Sequence, residues 1–326
     1  GGKRGKDALF SDPTHDEMKA LRETELLFKS SLMQLQINEV KTEASIKYDK
    51  LGALETWLHA FKHALSALPP RTMSAAELPE GSLLKPAFDS FEFKPPQKLH
   101  MIGSYLLRAV ARPHLHVDLA VELPTECVHH KDFLNGKYLH KRTLFLQAIA
   151  DALRGDAGVA EAGFELFRCD ARKPILWVKP AGLSGFSAKF RVRLIPCLPE
   201  GAIPLLRLRP SRNNVRVEGV TDIAQQPATP SYNACLAEDL RFVHHLQLLH
   251  SAFGECPAFA DAAVLLKVWL RQRGLDSAPD SINGFLASAL LLYLLQQRLI
   301  SRHMSSYQML RSFYTLLSNP ETLQKG

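Results

Sequence analysis

The stretch from His100 to Leu123, HMIGSYLLRAVARPHLHVDLAVEL, decides how the rest of the chain is interpreted. Gly103 and Ser104 predict a tight turn that opens a short apolar helix, because glycine allows unusual backbone angles and serine caps helices. After Pro113, the alternating residues predict a strand that carries Asp118. Ser104 is then either an ordinary helix cap or a residue that faces a phosphate, and both interpretations remain open.

This order of turn and strand resembles the nucleotidyltransferase frame of the polymerase-beta-like superfamily, with one departure. Ala120 stands two residues after Asp118, where that superfamily has a second metal-binding carboxylate. Nucleotidyl transfer usually uses two Mg²⁺ ions about 3.5–4 Å apart, and residues i and i+2 of a strand share one face. Glu122 shares that face but lies roughly 13 Å from Asp118, too far to replace the missing ligand without a bulge. We therefore expect a degenerate site at Gly103, Ser104, Asp118 and Ala120, without bound metal.

Composition limits the class of protein. The chain has 326 residues, 46% of them hydrophobic, which is enough for a large core and for two or more domains. Five cysteines without a Cys-x-x-Cys pair predict reduced thiols in an intracellular compartment. The longest apolar run, 285–295, is too short to span a bilayer, and no signal peptide is visible. A net charge of +7 favours a polyanionic partner.

The first part of the chain predicts a helical arm. Thr14 and Glu17 form a capping-box pattern, and leucines at near-helical spacing continue until Pro69 and Pro70. Residues 71–98 are interpreted as a loop, because prolines interrupt any regular pattern. We expect three segments: a tail and helical arm at 1–75, a degenerate nucleotidyltransferase-like domain at 76–230, and a helical domain at 231–326.

Several basic residues are candidates for contact with RNA or with a protein partner. Some lie at the start of a predicted helix that runs to Leu153, others on the predicted strand Lys189–Leu194, and others in the arginine-rich connection 201–230. The candidates are Lys137, Lys141, Arg142, Lys189, Arg191, Arg193, Arg207, Arg209 and Arg212. Each group is also compatible with an ordinary solvated surface, and in 201–230 with a strand pair. On the predicted strand, cations replace the third metal-binding acid of active relatives and suit phosphates or an acidic partner.

Histidines and cysteines near Asp118 do not predict a metal centre. The residues concerned are His114, His116, Cys127, His129 and His130. Their spacing matches no standard zinc pattern, so we interpret them as ordinary strand and surface residues.

The remainder of the chain predicts helices. Ser231 can begin a helix to about Ala252, Pro257 another that ends at Gly274, and Gly284 an apolar one to about Arg298. A catalytic-type α/β domain followed by helices resembles the architecture of poly(A) polymerase and oligoadenylate synthetase. The expected fold class is α+β: a polymerase-beta-like nucleotidyltransferase domain, then an all-helical domain of that type, with an N-terminal helical arm.

Four segments together resemble one particular family, the Nrap family. They are VDLAVELP, KDFLNGKYLHKR, RLRPSRNNVR and AVLLKVWLRQRGLD. The likeness runs from about Thr14 to the end and covers roughly the first third of the longer family chain. Its yeast counterpart is a U3 snoRNP-associated subunit of the small-subunit processome.

The Nrap resemblance implies a nuclear, nucleolar scaffold without catalysis or cofactor that supports 18S rRNA maturation and small-subunit assembly. The implied partners are pre-rRNA in the U3 snoRNP particle and processome proteins, including the casein-kinase-containing subcomplex, and no membrane. The alternative is an active nucleotidyltransferase with unusual metal ligation.

Overall fold

The computed structural model describes residues 13–27, 31–80, 82, 84, 88–113, 115–183, 190–216, 226–276 and 281–319, with backbone only at 24–27 and 31–33. Contacts group the chain into two units. One comprises Gly1–Tyr48, Gly103–Leu115 and Leu246–Gly326, and the other comprises Asp49–Ile102 and His116–His245. These bounds differ from the predicted boundaries after residues 75 and 230. The predicted division into three segments stays a prediction.

The described residues of the second unit form seven strands. They are β1 (Arg71–Ser74), β2 (Ser90–Phe93), β3 (Leu99–Ile102), β4 (His116–Glu122), β5 (Val159–Leu166), β6 (Pro174–Pro180) and β7 (Arg191–Cys197). β1 and β2 form an antiparallel pair, and the other five form a sheet in the order β3-β4-β7-β6-β5. Only β4 and β7 run parallel within that sheet. The predicted strand that carries Asp118 is β4.

The interior of β4 is the most deeply buried part of the sheet. All five residues from Val117 to Val121 are buried, because the strand is central and covered on both faces. The parallel register places Asp118 beside Arg193 and Ala120 beside Ile195. This register decides which side chain of β7 faces the carboxylate.

The helices are α1 (His15–Leu27), α2 (Ser31–Ala44), α3 (Gly52–Ser66), α4 (Gly103–Leu106), α5 (Lys137–Ala152), α6 (Pro230–Glu255), α7 (Pro257–Gln272), α8 (Gly284–Gln296) and α9 (Ser306–Ser318). In the sheet-containing unit, α3 buries one stripe, Leu54, Leu58, Phe61 and Leu65. α5 is buried on most of its surface. The predicted helical arm is thus several helices, and α3 belongs to a different unit from α1 and α2.

Three sequence interpretations need correction. Residues 71–98 are not simply a loop, because β1 and β2 bury Met73, Phe91 and Phe93, and the prolines fall outside these short strands. β5 was not predicted, since it shows no apolar alternation and buries none of its residues fully. The described part of 201–230 contains a short 3₁₀ helix, Leu205–Leu208, in place of a strand pair.

The predicted strand Lys189–Leu194 also has different bounds. It begins at Arg191 and continues to Cys197. Lys189 lies outside the described residues.

In the helical unit, sequence signals mark the helix ends. Thr14 N donates to Glu17 Oε2 at 2.6 Å and Thr14 Oγ1 accepts from Glu17 N at 3.4 Å, so the predicted capping box is confirmed. Pro257 is at the start of α7, and the Asn283 side chain caps α8. A separate helix, α9, follows and carries its own capping box.

The core of this unit is formed by α7, α8 and α9. Leu266 and Leu270 of α7 are fully buried, and Ile37 and Ala44 of α2 pack against the same cluster. None of the described helices is long and apolar enough to cross a membrane.

Candidate functional site

Asp118 is held by an arginine from the neighbouring strand. Arg193 Nε lies 2.6 Å from Asp118 Oδ1, and Arg193 Nη2 lies 3.0 Å from Asp118 Oδ2. Two parallel N–H···O bonds of this kind are the strongest common geometry for an arginine and a carboxylate. The β4–β7 register produces the pair, because it sets the two residues side by side.

Further charged side chains lie close to this ion pair. Glu165 of β5 lies 3.8 Å from Arg193 Nη1 and 3.6 Å from Arg191 Nη1. Arg191 also stacks over the Trp177 ring at 4.0 Å, and His116 Nε2 lies 3.8 Å from Asp118 Oδ2. The arrangement is a mixed ion network in which the two arginines meet two carboxylates.

The electrostatics keep Arg193 positively charged. Burial opposes the cation, but the Asp118 charge, its hydrogen bonds and Glu165 outweigh burial and raise the pKa of Arg193. The Arg193 side chain is only 26% exposed. A divalent cation at Asp118 would have to displace this guanidinium and tolerate its charge nearby.

The second carboxylate position offers no metal ligand. Ala120 is fully buried and paired with Ile195. Glu122 ion-pairs with Lys98 at 3.2 Å and lies 3.7 Å from His100 Nε2. The residues present therefore do not fit the two-Mg²⁺ centre of a nucleotidyltransferase. Within the described ranges, no group of three His, Cys, Asp or Glu side chains has a metal-binding arrangement.

The Gly-Ser turn forms as predicted, and its hydroxyl already has a partner. Gly103 has φ of +70°, which favours glycine, and α4 has only four residues. Ser104 Oγ accepts from Lys267 Nζ at 2.6 Å, and the same amine donates to Ala109 O at 2.6 Å. Lys267 is half-buried on α7. A phosphate at Ser104 stays a prediction.

Two of the basic candidates on α5 are held inside the domain. Arg142 is 0% exposed and ion-pairs with Asp239 at 3.0 Å, so its assignment to a binding surface is wrong. Lys173 lies 2.6 Å from the other oxygen of Asp239. Lys141 ion-pairs with Asp132 at 2.8 Å and is largely buried.

Four further candidates lie at or near the surface. Lys137 is half-buried at the first position of α5, and Arg207, Arg209 and Arg212 are exposed. Sequence reasoning missed the partners Asp239, Glu165 and Lys267. No local signal identifies them, because each is brought to its partner by long-range packing or strand register.

Matches to known sequences identify the family. Nrap protein domain 1 matches residues 71–255, and the Nrap protein PAP/OAS-like domain matches residues 258–326. The chain belongs to the Nrap family. Together with the observed sheet and helices, the second match confirms the predicted fold class of this Nrap chain.

The chain is also similar to curated proteins. Nucleolar protein 6 of Xenopus laevis is 36% identical over 344 residues, and that of Homo sapiens is 34% identical over 340 residues. Each match covers 99% of the Nrap chain and 30% of the relative, so the chain spans about 30% of the length of these relatives. Their name is a nucleolar one, and the predicted nuclear, nucleolar localisation is confirmed.

Among solved structures, the Nrap chain is similar to the Cid1 poly(U) polymerase in its MgGTP-bound form. The TM-score is 0.48 at 13% identity, over 88% of this chain and 73% of that one. The comparison with the GLD-2/RNP-8 complex gives a TM-score of 0.45 at 12% identity, and it covers 81% of this chain and 56% of that one.

Proposed function

We propose that this Nrap chain is a non-catalytic binding module of the nucleolar small-subunit processome. In this role it supports pre-rRNA processing and small-subunit assembly, including maturation of 18S rRNA, through contacts with RNA and protein. Its partners are the pre-rRNA and U3 snoRNP particle and processome proteins, among them the casein-kinase-containing subcomplex. The name of the curated relatives, nucleolar protein 6, supports the ribosomal setting.

The bidentate Arg193–Asp118 pair carries the non-catalytic part of the proposal. In a two-metal reaction, carboxylates bracket the cations that neutralise the attacking and leaving oxygens. Here one carboxylate is occupied by a guanidinium, and an alanine stands at the second position. The strand next to Asp118 supplies a cation where a third acid would be needed. An arginine side chain stabilises the fold at this position but cannot generate the nucleophile.

Incorporation of labelled nucleotides into RNA primers tests the proposal. The assay uses the wild-type chain, Asp118→Ala and the double variant Ala120→Asp/Arg193→Asp, with Mg²⁺ or Mn²⁺ and each of the four nucleoside triphosphates. We expect no incorporation by the wild type, and an active poly(U) polymerase serves as the positive control. Incorporation by the wild type that disappears in Asp118→Ala would establish the alternative, a nucleotidyltransferase with unusual metal ligation.

The lack of catalysis has a second test in cells. Full-length protein that carries Asp118→Asn keeps the side-chain shape but loses the charge. We expect such cells to retain mature 18S rRNA, because no catalytic step depends on this carboxylate. Accumulation of unprocessed precursor, with the variant protein present at normal level in the particle, would contradict a purely binding role.

A further inference from the structure

The arginine loop, residues 205–216, carries four exposed cations. Arg207, Arg209, Arg212 and Arg216 are all exposed. Within the described ranges none of the four guanidinium groups has a carboxylate partner. This contrasts with Arg142 and Arg193, each of which is paired with an aspartate.

Two asparagines beneath the loop fix its backbone. Asn214 Nδ2 donates to Arg207 O at 2.8 Å, and Asn233 Nδ2 donates to Arg209 O and Arg212 O, both at 2.9 Å. Asn214 Nδ2 also donates to Asn233 Oδ1 at 2.8 Å, and both asparagines are buried. Because these buried side-chain amides bind the carbonyls of Arg207, Arg209 and Arg212, the backbone of the loop is fixed, while the arginine residues themselves are exposed. We call this hydrogen-bonded set the asparagine frame.

The frame extends to the start of α5. Asn135 N donates to Asn214 O at 2.8 Å, and Asn135 Oδ1 accepts from Arg216 N at 2.9 Å. Lys137 follows Asn135 by two residues and adds a further cation beside the loop. A surface whose backbone is already ordered loses less entropy on binding than a mobile one.

Apolar side chains are interleaved with these cations. Leu205 is 47% exposed, Leu206 is 63% exposed, and Val215 is also exposed. The loop contains no aromatic residue on which a base could stack. Contacts to an RNA backbone would use the arginines and leave the leucines in water, whereas protein interfaces combine exposed apolar residues with arginine.

We propose that the arginine loop binds an acidic peptide segment of a protein partner, in which apolar side chains alternate with Asp or Glu. The partner's carboxylates pair with the arginines, and its apolar side chains cover Leu205 and Leu206. Charge complementarity identifies the occupant, since four exposed arginines without a carboxylate partner among the described residues lie in the same loop as an exposed apolar pair. The inference rests on the proposed binding role and names the chemistry of one partner.

Fluorescence anisotropy tests the proposal on the whole chain. The probe is a fluorescein-labelled peptide in which pairs of leucines alternate with pairs of glutamates, and a second peptide replaces the leucines with serines. A labelled single-stranded RNA is titrated in parallel. The variants are Arg207→Glu/Arg209→Glu and Leu205→Ser/Leu206→Ser, with folding checked by circular dichroism.

A matched control carries the same charge change elsewhere. Arg154 and Lys50 are exposed, and Arg154 follows the far end of α5, roughly 24 Å from Lys137 by the rise per residue. The control Arg154→Glu/Lys50→Glu should retain peptide affinity within about twofold, whereas Arg207→Glu/Arg209→Glu should weaken it at least about tenfold. Leu205→Ser/Leu206→Ser should weaken binding of the leucine–glutamate peptide. Its affinity for the serine–glutamate peptide should stay the same.

Three results would overturn the proposal. One is unchanged peptide affinity in both loop variants. Another is an equal loss in the control, which would indicate a net-charge effect. The third is a loss of RNA affinity on arginine reversal with no effect of the leucine variant, which would assign the loop to RNA. None of these outcomes depends on nucleotide incorporation, so the proposed lack of catalysis is tested separately.

Discussion

Arg193 and Arg207 lie in the same unit but differ in ion pairing and exposure. Arg193 is drawn into the sheet by the β4–β7 register and bonds Asp118 through two hydrogen bonds. Arg207 lies in a loop whose carbonyls accept hydrogen bonds from asparagines, and the residue is exposed. Both residues are basic positions in the sequence, but Arg193 is paired with a carboxylate and Arg207 is exposed.

This difference shows that the role of an arginine in this domain depends on which groups lie next to it in the folded chain. On β7 the neighbouring strand supplies a carboxylate, so the positive charge is used for stability. In the arginine loop the neighbours supply neutral amides that bind the backbone, so the charge remains exposed. The predictions below test this division in order of the expected effect.

The largest effect is expected at the most deeply buried cation. Arg142→Ala leaves Asp239 without its arginine inside the domain, and removal of one partner of a buried pair costs about 3–5 kcal/mol. The exposed control, Arg207→Ala, should change the free energy of unfolding by less than about 0.5 kcal/mol. Urea denaturation measures both. Equal losses in the two variants would remove the distinction between paired and displayed arginines.

The asparagine frame should contribute the next largest amount. Asn233→Ala removes hydrogen bonds to the carbonyls of Arg209 and Arg212, and each buried polar group left unsatisfied costs about 1–3 kcal/mol. We expect a loss of about 2–3 kcal/mol and weaker binding of the acidic peptide. Ser231→Ala, at an exposed position of the same helix, is the control and should change neither quantity. A stable Asn233→Ala variant with full peptide affinity would show that the frame does not order the loop.

The Asp118–Arg193 pair should show measurable coupling in a double-mutant cycle. Asp118→Ala, Arg193→Ala and the double variant are compared by urea denaturation. We expect a coupling free energy of roughly 1–2 kcal/mol, since the pair is bidentate and only partly exposed. A coupling near zero would mean that Arg193 does not stabilise Asp118 in solution.

The smallest effect concerns the pH dependence of stability and His140 of α5. Burial lowers the pKa of His140, although its hydrogen bond to Ala75 O opposes this shift. The unfolded chain therefore binds a proton on His140 at a higher pH than the folded chain does. Stability should fall as the pH drops below about 6.5, the ordinary value for histidine.

A comparison of the pH dependence of unfolding in wild type and His140→Gln isolates this contribution. The decline of stability just below pH 6.5 should be shallower in the variant. The same decline in both proteins would assign it to other groups.

The sequence predicts much of this fold because its signals are local. The Thr14 capping box, Pro257 at the start of α7 and the β4 strand around Asp118 are each encoded within a few residues. β5 was missed because an edge strand with exposed charges lacks the alternation that reveals a half-buried strand.

The site was less predictable for a physical reason. Which residue of β7 meets Asp118 depends on the register between strands that are 75 residues apart in sequence. Arg142 was mistaken for a surface residue because its partner, Asp239, lies 97 residues away. Long-range pairing of this kind leaves no trace in the residues around either partner.

Binding of Mn²⁺ tests the central claim most directly, because the claim is that Arg193 occupies the carboxylate on which a metal would depend. Electron paramagnetic resonance reports the loss of the free Mn²⁺ signal when protein is added. We expect no Asp118-dependent binding by the wild type, and binding by Ala120→Asp/Arg193→Asp, which supplies three acids on β4 and β7. Binding by the wild type that disappears in Asp118→Ala would contradict the account.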